Sequence, residues 1–190
     1  MDNNTSDSTH VEGETSIGDL GEFRKLYETA FPILFRVAYR ITSSEEAAED
    51  LCQEAFFRLH EKNMVFPRPD EATYWLIRVV KNAALNYAKR KVREGKAYGK
   101  AFYHDKRKEE TGETLLVEKE TRDEVRLALE QLPDTLRVVL VLKEYGELDY
   151  KEIGRALGIS EGNVKVRVFR ARERLSRLLE VAAKDGTHVS

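Results

Sequence analysis

The stretch from Tyr150 to Lys165, YKEIGRALGISEGNVK, decides how this chain is read. It follows Asp149, and Glu152 stands three residues after that aspartate, the reciprocal pattern of a capping box that starts a helix at Tyr150. Gly158 can take the positive φ that a tight turn after a helix demands. Ser160 is placed to cap a second helix. Gly154 supplies a small residue where the two helices cross, and Ile153, Leu157, Ile159 and Val164 supply apolar anchors around both. Two capped helices separated by a three-residue turn form a helix-turn-helix, which offers the N-terminal part of its second helix to a major groove. Lys165, Arg167, Phe169, Arg170 and Arg172 follow on that helix. Helical spacing sets Lys165, Phe169 and Arg172 near one face, with Arg167 and Arg170 flanking it. An ordinary helical hairpin requires neither both caps nor this run of cations. The basic residues suit phosphate contacts that set position and guanine contacts that read sequence; the spacing assigns neither role.

Working outward, the same module opens with a helix around Val125, Leu129 and Leu132. Pro133 fits the first turn of the next helix, whose apolar side is Leu136, Val139, Leu140 and Leu142. The last helix continues to about Ala182. Upstream, periodicity fails between Glu94 and Thr121, where Gly95, Gly99 and Gly112 sit among mixed charges: a linker. Before it, Phe23, Leu26, Tyr27, Ala30, Leu34, Val37, Ala38 and Ile41 recur at helical spacing, with Pro32 set to kink or split that helix. Ser43 with Glu46 reads as a second capping box, starting a helix that buries Ala47, Leu51, Ala55 and Leu59 beside Cys52 and Phe56. Phe66-Pro-Arg-Pro-Asp70 is a loop, with Asp70 as N-cap of a third helix carrying Trp75, Leu76, Val79, Val80, Ala83, Ala84 and Tyr87 inward. The expected fold is all-α, with no strand. Two small helical domains, 18–93 and 123–183, are joined by a flexible linker, 94–122. A polar tail, 1–17, is expected to be disordered, and a short tail, 184–190, closes the chain.

Composition narrows the function classes. Charged residues make up 35% of the 190 and hydrophobic residues 41%, enough for modest cores. The single cysteine, Cys52, rules out an intramolecular disulfide framework and fits a reducing compartment. His10, His60, His104 and His188 stand far apart, without metal-ligand spacing, so no metal and no cofactor is expected. The first twenty residues do not read as a signal peptide, and no apolar run approaches the length of a membrane span, so a cytoplasmic protein without membrane insertion is expected. Net charge is −2, yet the charges are sorted. Eleven Lys/Arg face only Glu94 and Asp105 between Arg78 and Lys108, and six face Glu161 and Glu173 between Ser160 and Leu178. Between Ser44 and Glu61 six acids face only Arg58. A solvated face accounts for any one run; two basic patches and an acidic stripe together suit polyanions at two places and a basic protein at a third.

Beyond the helix-turn-helix, Leu132-Pro133-Asp134, Leu142-Lys143-Glu144, Tyr150-Lys151-Glu152-Ile153, Gly162-Asn163-Val164-Lys165 and Phe169-Arg170-Ala171-Arg172 resemble the C-terminal module of extracytoplasmic-function (ECF) sigma factors. Ala48 to Phe56, AEDLCQEAF, resembles that family's AEDLVQEVF stretch. Trp75-Leu76-Ile77-Arg78 with Asn82 and Asn86-Tyr87 is similar to its WLxRIxxN segment. The resemblance covers about residues 20 to 92 and 123 to 180. It implies a factor that binds core RNA polymerase and directs promoter recognition, DNA opening and transcription initiation. Asp50, Gln53, Glu54 and Phe57 would dock on the clamp helices of the largest polymerase subunit, and the second module on the flap of the second-largest. The −10 element would meet Arg78, Lys81, Asn82, Asn86, Lys89, Arg90 and Lys91, with a base pocket in the loop from Phe66 to Thr73 where Phe66 and Tyr74 stack on bases. The −35 element would meet Ser160, Asn163, Lys165, Val166, Arg167, Phe169, Arg170 and Arg172. An anti-sigma factor clasping both modules is implied as well. Val166 and Asn163 depart from the family's commoner Ser and Thr, and the loop carries two prolines, so promoter sequence is not carried over.

Two other readings compete. A stand-alone helix-turn-helix regulator would use the second module alike but leaves Ala48 to Phe56 as coincidence. A nucleic-acid enzyme would need a paired-carboxylate metal motif, a glycine loop for phosphate or a nucleophile–histidine pair, and none is present.

Overall fold

The structure, a computed structural model, describes residues 15–16, 20–62, 64–97 and 123–186. Helix α1 (Leu20–Thr42) buries Ala30, Leu34, Val37, Ala38 and Ile41, at the spacing that lines one helical face. Pro32 lies within it, yet the helix runs on unbroken. Proline removes the N–H that would bond the carbonyl of Glu28, and Glu28 is exposed, where water can replace that donor. The helix stops at Ser43, which takes a left-handed φ of 55° and donates its N–H to the Tyr39 carbonyl at 2.8 Å. Ser44, extended at φ −138°, then caps α2 (Glu45–Glu61) by accepting the Ala47 N–H at 3.3 Å. The cap expected at Ser43 with Glu46 therefore falls one residue later, because Ser43 is spent terminating α1.

Helix α2 buries Ala47, Ala48, Cys52, Ala55, Phe56 and Leu59 against α1, with Leu51 only half-buried. Phe56 sits within an aromatic cluster, edge-on to Phe23 at 6.0 Å and tilted to Tyr27 at 4.8 Å between ring centroids. Helix α3 (Pro69–Ala97) closes the first module with Ala72, Leu76, Ile77, Val80 and Ala84 inside and Trp75 and Val79 at the edge. Between α2 and α3, β2 (Val65–Phe66) pairs antiparallel with β1 (Thr15–Ser16), Thr15 opposite Phe66. Two residues are too short for any period-2 signal, so this ladder was not expected, and it fixes Thr15 and Ser16 within the stretch read as a disordered tail. Residues 94–97, assigned to the linker, continue α3. The rest of the linker, most of the N-terminal tail and residues 187–190 lie outside the described residues.

The second module holds α4 (residues 123–130), α5 (Asp134–Glu144), α6 (Tyr150–Leu157) and α7 (Glu161–Gly186). Pro133 precedes α5 as its N-cap. Leu129, Leu132, Val139, Leu142, Ile153, Val164, Val168 and Ala171 form the module's core. In α5 every residue from Arg137 to Leu142 is buried, which a one-sided helix would not allow. The cause is a second cover: α7 packs on α5, and so does α1 of the first module. The buried apolar cluster runs from one module into the other.

Where α6 crosses α7, a Cβ on Gly154 would stand 2.8 Å from the Ile159 carbonyl oxygen. Gly154→Ala is therefore expected to cost about 1–3 kcal/mol through backbone displacement. Gly162→Ala, with nothing within 4 Å of its Cβ, is expected to gain about 0.5–1 kcal/mol from helix propensity. Urea unfolding followed by circular dichroism reads both; equal midpoints for the two variants would disprove the close approach.

Candidate nucleic-acid and protein interfaces

The caps and turn of the helix-turn-helix are set by local bonds. Asp149 Oδ1 accepts the Glu152 N–H at 2.7 Å, and Glu152 Oε2 accepts the Asp149 N–H at 2.7 Å, completing the capping box. Gly158 adopts φ 68°, and the Ile159 N–H returns to the Gly154 carbonyl at 3.0 Å. Ser160 Oγ accepts the Asn163 N–H at 3.3 Å and starts α7. Val164, Val168 and Ala171 anchor that helix inward. Ser160, Asn163, Lys165, Val166, Phe169, Arg170 and Arg172 are exposed, and Arg167 is half-buried. Phe169 is 68% exposed among the cations, an apolar ring that the fold itself does not use.

These cations are not equivalent. Lys165 Nζ is 2.7 Å from Glu161 Oε1, and Arg172 Nη2 is 2.6 Å from Glu144 Oε1 of α5. The carboxylate hydrogen bond in each pair holds the cation's pKa above its ordinary value. Arg167 and Arg170 have no ion pair among the described residues. Lys165 and Arg172 would have to exchange a carboxylate for a phosphate, whereas Arg170 is free to meet one directly.

The first module carries two further surfaces. Along α3, Arg78, Asn82, Asn86, Lys89 and Arg90 are exposed at steps of three and four, one stripe of cations and amides. Lys81 lies beside it, half-buried, its pKa lowered by desolvation and then by the charge of Arg78. Arg90 and Lys91 lie 5.7 and 5.9 Å from the Tyr87 ring centroid. Lys89 Nζ is drawn to Asp134 Oδ2 of the second module at 2.8 Å. On α2, Asp50, Gln53, Glu54 and Phe57 are all exposed, with Phe57 65% exposed beside the carboxylates. Gln53 Nε2 donates to Glu49 at 3.2 Å, and Glu54 pairs with Arg58.

Two expected stacking rings are not on a surface. Phe66 is 7% and Tyr74 4% exposed. Phe66 is the inward residue of β2, and Tyr74 lies beneath the Arg155 guanidinium of α6, 5.9 Å from the ring centroid. The expected pocket loop from Phe66 to Thr73 is also shorter than foreseen, since α3 already begins at Pro69. Asp70, expected as its N-cap, stands in the first helical turn. Its carboxylate takes Arg68 Nε at 2.9 Å, a second Arg68 nitrogen, and Arg155 Nη1 at 3.0 Å. The Arg68 hydrogen bond, with the charges of Arg68 and Arg155, holds the Asp70 pKa below the usual carboxylate range. Arg155 was not singled out from sequence; its partner is 85 residues away, beyond any spacing rule. Among the described residues no group of side chains could hold a metal ion, and no helix is long and apolar enough to cross a membrane.

Residues 26–94 match the family described as Sigma-70 region 2, and residues 122–175 match Sigma-70, region 4. The ECF RNA polymerase sigma factor SigM of Mycobacterium tuberculosis is 33% identical over 162 residues, 85% of this chain and 79% of that protein. SigE of Mycolicibacterium smegmatis, also an ECF RNA polymerase sigma factor, is 29% identical over 143 residues, 75% of this chain; the match spans only 55% of that relative. In backbone, the chain resembles the sigma factor RpoE from Bartonella quintana, solved in complex with the anti-sigma factor NepR. The TM-score is 0.58 at 23% identity, covering 85% of this chain and 99% of that one.

Cys52 lies on the core side of α2, opposite the acidic face, and burial first, then the charge of Glu49, pushes its thiol up to about 12. Without thiolate at neutral pH, it is expected to resist a thiol reagent such as DTNB in the native protein and react once on denaturation. Rapid native labelling would mean that α2 presents a different face to solvent.

Proposed function

Since this chain belongs to the sigma-70 family, as an ECF-type RNA polymerase sigma factor that functions in promoter recognition, we propose a division of labour among its surfaces. The α2 face of Asp50, Gln53, Glu54 and Phe57 docks on the clamp helices of the largest subunit of core polymerase. Carboxylates and an amide suit basic partners through charge-assisted hydrogen bonds, and Phe57 supplies an apolar anchor. The α3 stripe of Arg78, Asn82, Asn86, Lys89 and Arg90, with Lys81 and Lys91, follows the separated −10 strand. Amides suit base edges, and cations suit the phosphates. The exposed part of α7, from Ser160 to Arg172, enters the major groove at the −35 element while its module meets the flap of the second-largest subunit.

The observation that carries this reading is the contrast within one small module, an acidic, phenyl-bearing α2 face beside a cationic, amide-bearing α3 stripe. A stand-alone regulator would account for α7 but has no use for either surface. The chain binds and positions, and polymerase supplies the chemistry, in the cytoplasm where that enzyme works. An anti-sigma partner is part of the proposal too, by likeness to the Bartonella protein solved with one.

Replacing Asp50 and Gln53 by Ala is expected to weaken assembly with core polymerase ten-fold or more, since a hydrogen bond to a charged group contributes about 1.5–3 kcal/mol. Pull-down titration and run-off transcription over a promoter library measure this, and unchanged affinity would remove the docking assignment. With the assembled holoenzyme, Arg170→Ala is expected to weaken promoter binding and lower the salt slope of log K by about one. Arg172→Ala is expected to act less, because its guanidinium must first leave Glu144. An unaltered slope in both variants would detach α7 from DNA.

A further inference from the structure

The exposed side of α7 is not uniformly charged, and its least charged part points furthest outward. Val164, Val168 and Ala171 are buried on the inner side of the helix. At about 100° per residue, the positions opposite them are Gly162, Val166, Phe169 and Glu173, linked by steps of four, three and four. Val166 is 48% exposed, and Phe169 is more exposed still. Gly162 has no positive φ and nothing within 4 Å of an added Cβ, so neither a turn nor packing requires a glycine there. Glu173, the acid among these four, is held by Arg177 at 2.6 Å. At the edges of the face, Lys165 and Arg172 lean on Glu161 and Glu144.

Single exposed apolar side chains are ordinary on a protein surface. A valine and a phenylalanine one helical turn apart, rimmed by Lys165, Arg167, Arg170 and Arg172, mark a place where a partner displaces water. β-Branched valine is also a poorer helix former than the straight-chain polar residues that suit a solvated position. The cations commit the surroundings to a polyanion, and a nucleic acid offers few apolar groups. In the major groove that group is the C5 methyl of thymine. Guanine, adenine and cytosine present donors and acceptors there, which an alkyl side chain would leave without partners. On the promoter reading above, we propose that Val166, supported by Phe169, reads a thymine methyl in the −35 element. The missing side chain of Gly162 lets the base-pair edge come close. The apolar pair thus selects an A·T pair by its methyl group, while the surrounding cations fix the helix on phosphates. Asn163, exposed three residues before Val166, carries the amide that suits adenine.

The experiment uses the full-length protein assembled with core polymerase, on the strongest promoter that run-off transcription over the library yields. Each thymine of either strand in its −35 element is replaced in turn by deoxyuridine, which deletes the methyl and keeps every hydrogen-bonding group. A second series carries 5-bromodeoxyuridine, whose bromine has about the size of the methyl. Uracil at one thymine is expected to weaken promoter binding about three- to five-fold, the scale of one buried methyl group, and bromouracil to restore it. Val166→Ser, with helix content checked by circular dichroism, is expected to bind the thymine promoter more weakly by a similar factor. It is also expected to lose the distinction between thymine and uracil at that position. Gly162→Ala is expected to weaken promoter binding several-fold although it stabilises the fold. Uracil without effect at every thymine, a −35 element without an A·T pair, or a thymine–uracil distinction that survives Val166→Ser overturns the readout. Unchanged affinity in Gly162→Ala overturns the close approach. If the holoenzyme starts transcripts at defined promoters while uracil has no effect, the methyl readout alone fails; if it uses no promoter, the promoter reading fails with it.

Discussion

A helix that is buried on all sides needs walls on all sides, and α5 is that helix here. The residues from Arg137 to Leu142 leave no face for water. The second module supplies one wall with α7, whose opposite side is committed to solvent by Lys165, Val166, Phe169 and Arg170. Helix α6 of the same module adds a second wall and α1 of the first module a third, and this shared burial brings the modules into one body. Asp134, at the head of α5, takes Arg137 of its own helix at 3.1 Å and Lys89 of α3 at 2.8 Å. Arg137 is itself buried, and its Nε has no partner among the described residues. Removing Asp134 would thus strand a charge inside the protein, a far more costly change than losing a surface pair.

Electrostatics then does the sorting that net charge conceals. A chain at −2 overall presents carboxylates on α2, cations along α3 and cations along α7, each on a different surface. Within each set the useful distinction is between paired and unpaired groups. Arg58 neutralises Glu54, Glu161 neutralises Lys165, and Glu144 holds Arg172, so these side chains are kept in place before any partner arrives. Arg170 lacks such a partner among the described residues, and its freedom to reach outward is conformational as well as electrostatic.

Local chemistry was readable from the sequence and distant chemistry was not. The box of Asp149 with Glu152, the turn at Gly158 and the cap at Ser160 were legible because each depends on residues within a few positions. So was the exposure of Asp50, Gln53 and Glu54, since helical spacing puts them opposite Ala48, Cys52 and Ala55. The displaced cap at Ser44 escaped because two adjacent serines offer the same chemistry, and only the end of α1 tells them apart. Phe66 and Tyr74 were expected to stack on bases because the resemblance puts a base pocket in the loop before α3; a two-residue ladder and an arginine from the other module put both rings inside. Arg155 carried no signal at all.

The absent side chain at Gly154 has a further consequence, for how such a protein can change. It seats the second helix of the pair on the first by direct backbone approach, so the pose of that helix does not depend on which residues it shows outward. Positions such as Asn163, Val166 and Phe169 are consequently open to exchange without disturbing the scaffold beneath. New target preferences could then arise by a few surface replacements, leaving intact the machinery that all such preferences must share.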